Sequence, residues 1–177
     1  MWNLFIFLLL VEFSASVTRF TNINCEVLEA SKTSFKECEL KVLGRGKIGL
    51  NLHMELNFTN TTIVKENISL FRRFSGFRPF MFNKTIDFCK FMANSNSKLS
   101  FEKLVLDSIS QFSNLNHSCP YTKDIIIRNM LFKEEFVEFL PLPSGEYRFQ
   151  FMTQMDNIWI NRITAQMSHN EKLTVSK

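Results

Sequence analysis

The chain has 177 residues, 45% of them hydrophobic and 21% charged, with a formal net charge of +4. That length suits one domain. The apolar share excludes a disordered chain, and bases without a long run exclude a nucleic-acid tail. Phe stands out, with 20 copies against 2 Tyr and 2 Trp, so the interior is either a dense aromatic core or an aromatic-lined cavity.

The N-terminus reads as a signal peptide over residues 1–16. Trp2 to Val11 is an apolar run broken only by Asn3, too short for the roughly 20 residues of a membrane span and of the right length for a signal's apolar region. Small Ser14, Ala15 and Ser16 follow, placing cleavage after Ser16. Removing Glu12 with this segment raises the net charge by one, to +5. Residues 17–177 are then one domain. No later segment is long and apolar enough to span a bilayer, so the mature chain is expected to be secreted and free of a transmembrane segment.

Most of that domain reads as strands. Phe35–Leu43 pairs as a hairpin with Lys47–Phe58 across a turn at Gly44, Arg45 and Gly46. In Lys47–Phe58, Ile48, Leu50, Leu52, Met54, Leu56 and Phe58 alternate with Lys47, Gly49, Asn51, His53, Glu55 and Asn57. Period two puts the first set on a buried face and the second in water. Thr62–Phe71 is the next strand. Helices interrupt the pattern in the middle. Thr85–Met92 predicts a short one, with Thr85 as cap and Asp87 in its first turn. Leu99–Phe112 predicts a longer one, with Phe101, Leu104, Val105, Ile109 and Phe112 on one face and Ser100 as N-cap. Strands resume at Asp124–Phe132, at Tyr147–Met155 after a turn over Pro141–Gly145, and around Trp159, Ile163, Ala165 and Met167. The fold class is mainly β with one or two inserted helices.

Cys25, Cys38, Cys89 and Cys119 make an even count, which in a secreted chain reads as two disulfides with three possible connectivities. Cys25–Cys38 and Cys89–Cys119 are preferred, because each pair is near in sequence and on adjacent elements. The spacings do not match zinc ligand pairs, and His53, His117 and His169 are scattered, so no metal site is expected. Five glycosylation sequons, at Asn57, Asn60, Asn67, Asn83 and Asn116, agree with secretion.

Three ordered motifs carry a family resemblance. They are the run from Gly76 to Phe91 (GFRPFMFNKTIDFCKF), Asn116-His-Ser-Cys-Pro-Tyr121, and Leu140-Pro-Leu-Pro-Ser-Gly-Glu-Tyr147, with an early Asn24-Cys25. Together, over about residues 20–165, they resemble a large insect family of small secreted proteins of unknown function. That family is similar to the ML lipid-recognition superfamily, which includes the ganglioside activator protein, and to insect chemosensory proteins of taste hairs. The resemblance implies an immunoglobulin-like antiparallel β-sandwich with an apolar cavity between its sheets, and Cys89 and Cys119 as disulfide partners. It carries over no catalytic residues.

The residues give no catalytic motif: no Gly-x-Ser-x-Gly elbow, no His-Glu-x-x-His and no phosphate-cradling loop. Asp87, Glu134 and Glu135 lack an identifiable partner, so the chain reads as a binding protein without a cofactor. The candidate ligand-binding residues are Leu50, Leu52, Met54, Leu56, Phe58, Phe101, Leu104, Phe112, Tyr147, Phe149 and Phe151, which suit a lipid or small hydrophobic ligand. A filled core with an extracellular receptor partner is the alternative. Arg72, Arg73, Arg78, Lys84 and Lys90, around Phe74, Phe77, Phe80 and Phe82, read either as a cavity mouth or as a solvated basic face.

Overall fold

The computed structural model describes residues 16–57, 63–94, 100–132, 140 and 142–171. The readings on residues 1–15, Phe58, Asn60, Glu134, Glu135 and Pro141 lie outside them. Eight strands and two helices follow one another: β1 (Ser16–Val27), β2 (Thr33–Gly44), β3 (Lys47–Leu56), β4 (Val64–Arg73), β5 (Phe77–Asp87), α1 (Phe88–Ala93), α2 (Phe101–Ser110), β6 (Ile125–Met130), β7 (Gly145–Met155) and β8 (Ile158–Glu171). They form two antiparallel sheets, a five-stranded one in the order β1-β8-β7-β4-β5 and a three-stranded one in the order β2-β3-β6. This is the expected mainly β sandwich, with both helices in the crossover from β5 in the large sheet to β6 in the small one.

Period two sets which side chains enter the interior. On β3, Leu50, Leu52 and Met54 are buried. The opposite face is drier than its polar residues predict. Asn51 is 2% exposed, with its side-chain oxygen accepting from the Asn129 backbone N–H, and His53 is half-buried against Asp124 at 2.7 Å. Gly49 sits in a tight place on this strand: a Cβ would lie 2.6 Å from the end of the Leu43 side chain and 3.1 Å from the Asn129 backbone.

Two strands were not anticipated. β1 has a weak alternation in sequence, and β5 contains Pro79. Proline lacks the N–H of a ladder donor and is confined to edges and bulges. β5 is an edge strand with a bulge between Pro79 and Asn83, where Met81 takes φ 61°. The strand runs on through Thr85 and Ile86, which corrects the start of the first helix. Thr85 is not its cap; α1 starts at Phe88, and Asp87 accepts from the Lys90 N–H at 2.9 Å. Ser100 caps α2 as expected, accepting from the Lys103 N–H.

Both preferred disulfides form. Cys25–Cys38 joins β1 of the large sheet to β2 of the small one, and Cys89–Cys119 joins α1 to the segment before β6. Among the described residues, no helix is long and apolar enough to cross a membrane.

Candidate ligand-binding cavity

The interior divides in two. One half is a filled core of Leu70, Val105, Leu140, Leu142, Tyr147, Phe149 and Met167, with Phe80, Phe82 and Phe101 packed against it. Here aromatic rings and α2 cover the inner face of the large sheet. Phe82 and Phe101 lie 3.8 Å apart, and Phe80 and Tyr147 5.8 Å apart, between ring centroids.

The other half lies between the two sheets and is hollow. A cavity of about 220 Å³ is walled by Leu50, Leu52, Met54 and Leu56 of β3, Ile125 and Ile127 of β6, and Phe149, Phe151 and Met155 of β7. Ile163 and Ala165 of β8 complete the wall facing β3, and Phe88 and Phe91 of α1 close one side. Opposed sheets stand about 10 Å apart. Rings stand on this wall too, among them Phe20, Phe88, Phe91, Phe149 and Phe151, and the small Ala165 leaves space among them. A bulge adds one more residue: the β7–β8 register skips Ile160, whose side chain joins the wall although its neighbour Asn161 is also buried.

Six of the eleven candidate residues therefore line the cavity: Leu50, Leu52, Met54, Leu56, Phe149 and Phe151. Four do not. Tyr147 is fully buried in the filled core, its hydroxyl donating to the Pro143 carbonyl. Phe101 and Leu104 pack on that same core. Phe112 packs against the cluster around the cavity without reaching its wall. For Phe101 and Leu104 the cause is the rotation of α2. It turns Glu102, Val105, Leu106 and Ile109 to the cavity, a stripe at i, i+3, i+4 and i+7 shifted from the expected one.

Two carboxyl groups enter this apolar wall. Glu102 is 8% exposed and ion-paired with Lys84 of β5. Burial raises its pKa, but Lys84, its own backbone N–H and Ser100 outweigh that and hold it below the usual carboxylate range. Glu66 is different. It sits on β4 between Val64 and Ile68, which also line the cavity, and opposite Thr153 of β7 and Ile86 of β5. It is half-buried and lines the cavity, and desolvation pushes its pKa up to about 8, opposed only by a hydrogen bond to Thr153. Sequence reasoning missed Glu66, yet the parity of Val64, Glu66, Ile68 and Leu70 marks it as an acid on an inward position.

Of the basic cluster, Arg72 lies over the filled half. The Arg72 guanidinium stands over the rings of Phe74, Phe80 and Tyr147, and Arg148 lies 3.9 Å from the centre of Phe77. Arg73 pairs with Glu146 at 2.6 Å. Of the five bases in this cluster, Lys84 alone reaches a cavity residue by an ion pair, Glu102. Asn57, Asn83 and Asn116 are exposed, and the Asn67 amide donates to Asn83 at 2.9 Å and to Thr85 at 3.0 Å. Among the described residues, no group of three or more His, Cys, Asp or Glu is placed to hold a metal ion.

A comparison with the curated proteins gives no match. Residues 66–149, just under half of the chain, match the model of a family described as a protein of unknown function, DUF1091, a stretch that runs from Glu66 on the cavity wall to Phe149 on the same wall.

Proposed function

We propose that this chain is a secreted, glycosylated carrier of a small hydrophobic ligand. The observation that carries the reading is the cavity of about 220 Å³ between the sheets, with its almost wholly apolar wall. An engineered apolar cavity of about 150 Å³ takes up benzene, so this one has room for a small ring or a single short acyl chain. It lies below the roughly 300 Å³ at which drug-sized pockets begin, too small for a two-chain phospholipid. Both disulfides fit an oxidising compartment, as do the leading apolar segment and the sequons. A chemosensory carrier is the form of this reading that the sequence resemblance adds.

Native mass spectrometry of the deglycosylated protein secreted from insect cells, followed by organic extraction, tests it. A reproducible co-purifying small hydrophobe is the expected result. A bare apoprotein mass, with no thermal shift across a panel of lipids and small hydrophobes, overturns it.

One observation favours a second reading, an extracellular protein-interaction domain. Phe74 is 59% exposed and Met81 55% exposed on the β4–β5 edge, beside Arg73. On that reading Arg73→Glu weakens capture of a receptor and leaves the fold and the cavity intact.

A further inference from the structure

We propose that Glu66 is the polar anchor of the cavity, and that its carboxyl, across the strand pair from Thr153, selects hydrophobes carrying one uncharged hydrogen-bond acceptor, such as an alcohol, ketone or ester. The inference rests on the cavity being the ligand site. The geometry supplies the argument. Val64, Ile68, Ile86, Thr153 and Phe151 surround Glu66 on the large sheet, so its carboxyl shares the wall with apolar groups and one hydroxyl. A carboxyl in such a place is held in its neutral form, and a neutral carboxyl has an O–H to donate.

The other titratable groups of the wall are engaged or distant in role. Glu102 of α2 is committed to Lys84 of β5, and Tyr121, ahead of β6, donates its hydroxyl to the His117 carbonyl. The lining residues from β1, β3, β6, β7 and β8 carry no charge. An anionic head, such as a fatty-acid carboxylate, therefore meets no cation among the described residues of this wall. An ammonium head would require Glu66 to ionise and both charges to leave water, a cost that a buried pair often fails to recover. A neutral acceptor satisfies the O–H without either cost.

The test is displacement of the fluorescent hydrophobe N-phenyl-1-naphthylamine by an eight-carbon series: octane, 1-octanol, 2-octanone, octanoate and octylamine. Wild type, Glu66→Gln and Glu66→Leu are compared, each with its fold checked by circular dichroism. Wild type at pH 7 should favour octanol and octanone over octane by at least about fivefold, as one net hydrogen bond allows. Octanoate and octylamine should be weakest. Glu66→Leu should lose the preference. Glu66→Gln, whose amide still donates, should keep it at pH 9, where the wild-type carboxyl has ionised and its preference has declined.

An equal octanol-to-octane ratio in wild type and Glu66→Leu refutes the anchor and leaves the cavity reading standing. Octylamine as the tightest wild-type ligand, lost in Glu66→Gln, refutes it in favour of cation recognition. If neither the fluorescent probe nor any member of the series binds, the carrier reading falls and the anchor with it.

Discussion

The two halves of the interior are built from the same large sheet and differ in what covers it. Over one half, Phe80, Phe82, Phe101 and Tyr147 pack with α2 into a filled core. Over the other, β3 and β6 stand off across a cavity lined by Leu, Ile, Met, Ala165 and rings such as Phe88, Phe149 and Phe151. The covalent cross-links follow the difference. Cys25, Cys38 and Cys119 all pack against the cluster around the cavity, and Cys89 sits in α1 between Phe88 and Phe91, which line it. Interiors are normally packed to crystal density, and in the filled half side chains alone cover the large sheet. The hollow half lacks much of that dispersion energy, and the disulfides hold its walls in place.

The sharpest way to break this comparison is to delete one ring from each half. Tyr147 is fully buried, donates to Pro143 and stacks under Arg72. Tyr147→Ala should cost about 3–5 kcal/mol, the range for large aromatic deletions in a filled core. Phe151 is only partly buried on the cavity wall. Phe151→Ala enlarges a space that already exists, so it should cost about 1–2 kcal/mol, close to the transfer term alone. Urea unfolding of both variants checks this. Equal losses would mean that the cavity half is packed as tightly as the other.

Opening the cross-links is the next step. The Cys89–Cys119 loop spans 30 residues and the Cys25–Cys38 loop 13. Chain entropy gives about 4 and about 3 kcal/mol for them. Loss of Cys89–Cys119 by paired Cys→Ala changes should also free α1 from the cavity rim. Hydrogen exchange should then rise around Phe88 and Phe91 and along β6, with Leu70 and Tyr147 protected until global unfolding. Uniform loss of protection would show that the disulfides serve both halves alike.

The same contrast explains what could be read from the sequence. The strict alternation in Leu50, Leu52, Met54 and Leu56 placed these residues on the inner face, and all four line the cavity. The disulfide pairing and the Ser100 cap were also legible, because both depend on local spacing. Which apolar residues meet empty space was not. Tyr147 and Phe149 share a strand face and the filled core, yet only Phe149 also reaches the cavity. Only the placement of α2 over the sheet separates them, a long-range fact that no period encodes. β5 was missed because Pro79 argues against a strand, and its edge position removes the objection. Ile160 enters the wall through a bulge, which shifts parity without leaving a mark in composition.

Glu66 gives the hollow half a pH dependence that the filled half lacks. Its pKa rises from 4.5 to about 8 on folding through desolvation. Between these values the folded state binds more protons than the unfolded one, so stability falls as pH rises from about 4.5 to about 8 and levels off above. Glu66→Leu should remove that slope and stabilise the protein at pH 8 by about 1–3 kcal/mol, the scale for a buried unsatisfied polar group. Thermal unfolding of wild type and variant at pH 5, 6.5 and 8 reads this directly, since the two curves should diverge with pH. Parallel curves would mean that water reaches the carboxyl freely.

The smallest effect on stability should come from filling the cavity, and it is the most informative about function. Ala165 is 6% exposed on β8 and lines the cavity opposite β3. Ala165→Leu directs three more carbons into existing space. The gain in apolar burial and the cost of strained rotamers nearly cancel, so the change in stability should stay within about 1 kcal/mol. In a packed core the same insertion costs typically 1–3 kcal/mol. Uptake of N-phenyl-1-naphthylamine should fall several-fold, because the added side chain takes up part of the about 220 Å³ that the ligand needs. A variant that is strongly destabilised would show that the walls close in solution. A stable variant with undiminished uptake would move the binding site away from the space between the sheets.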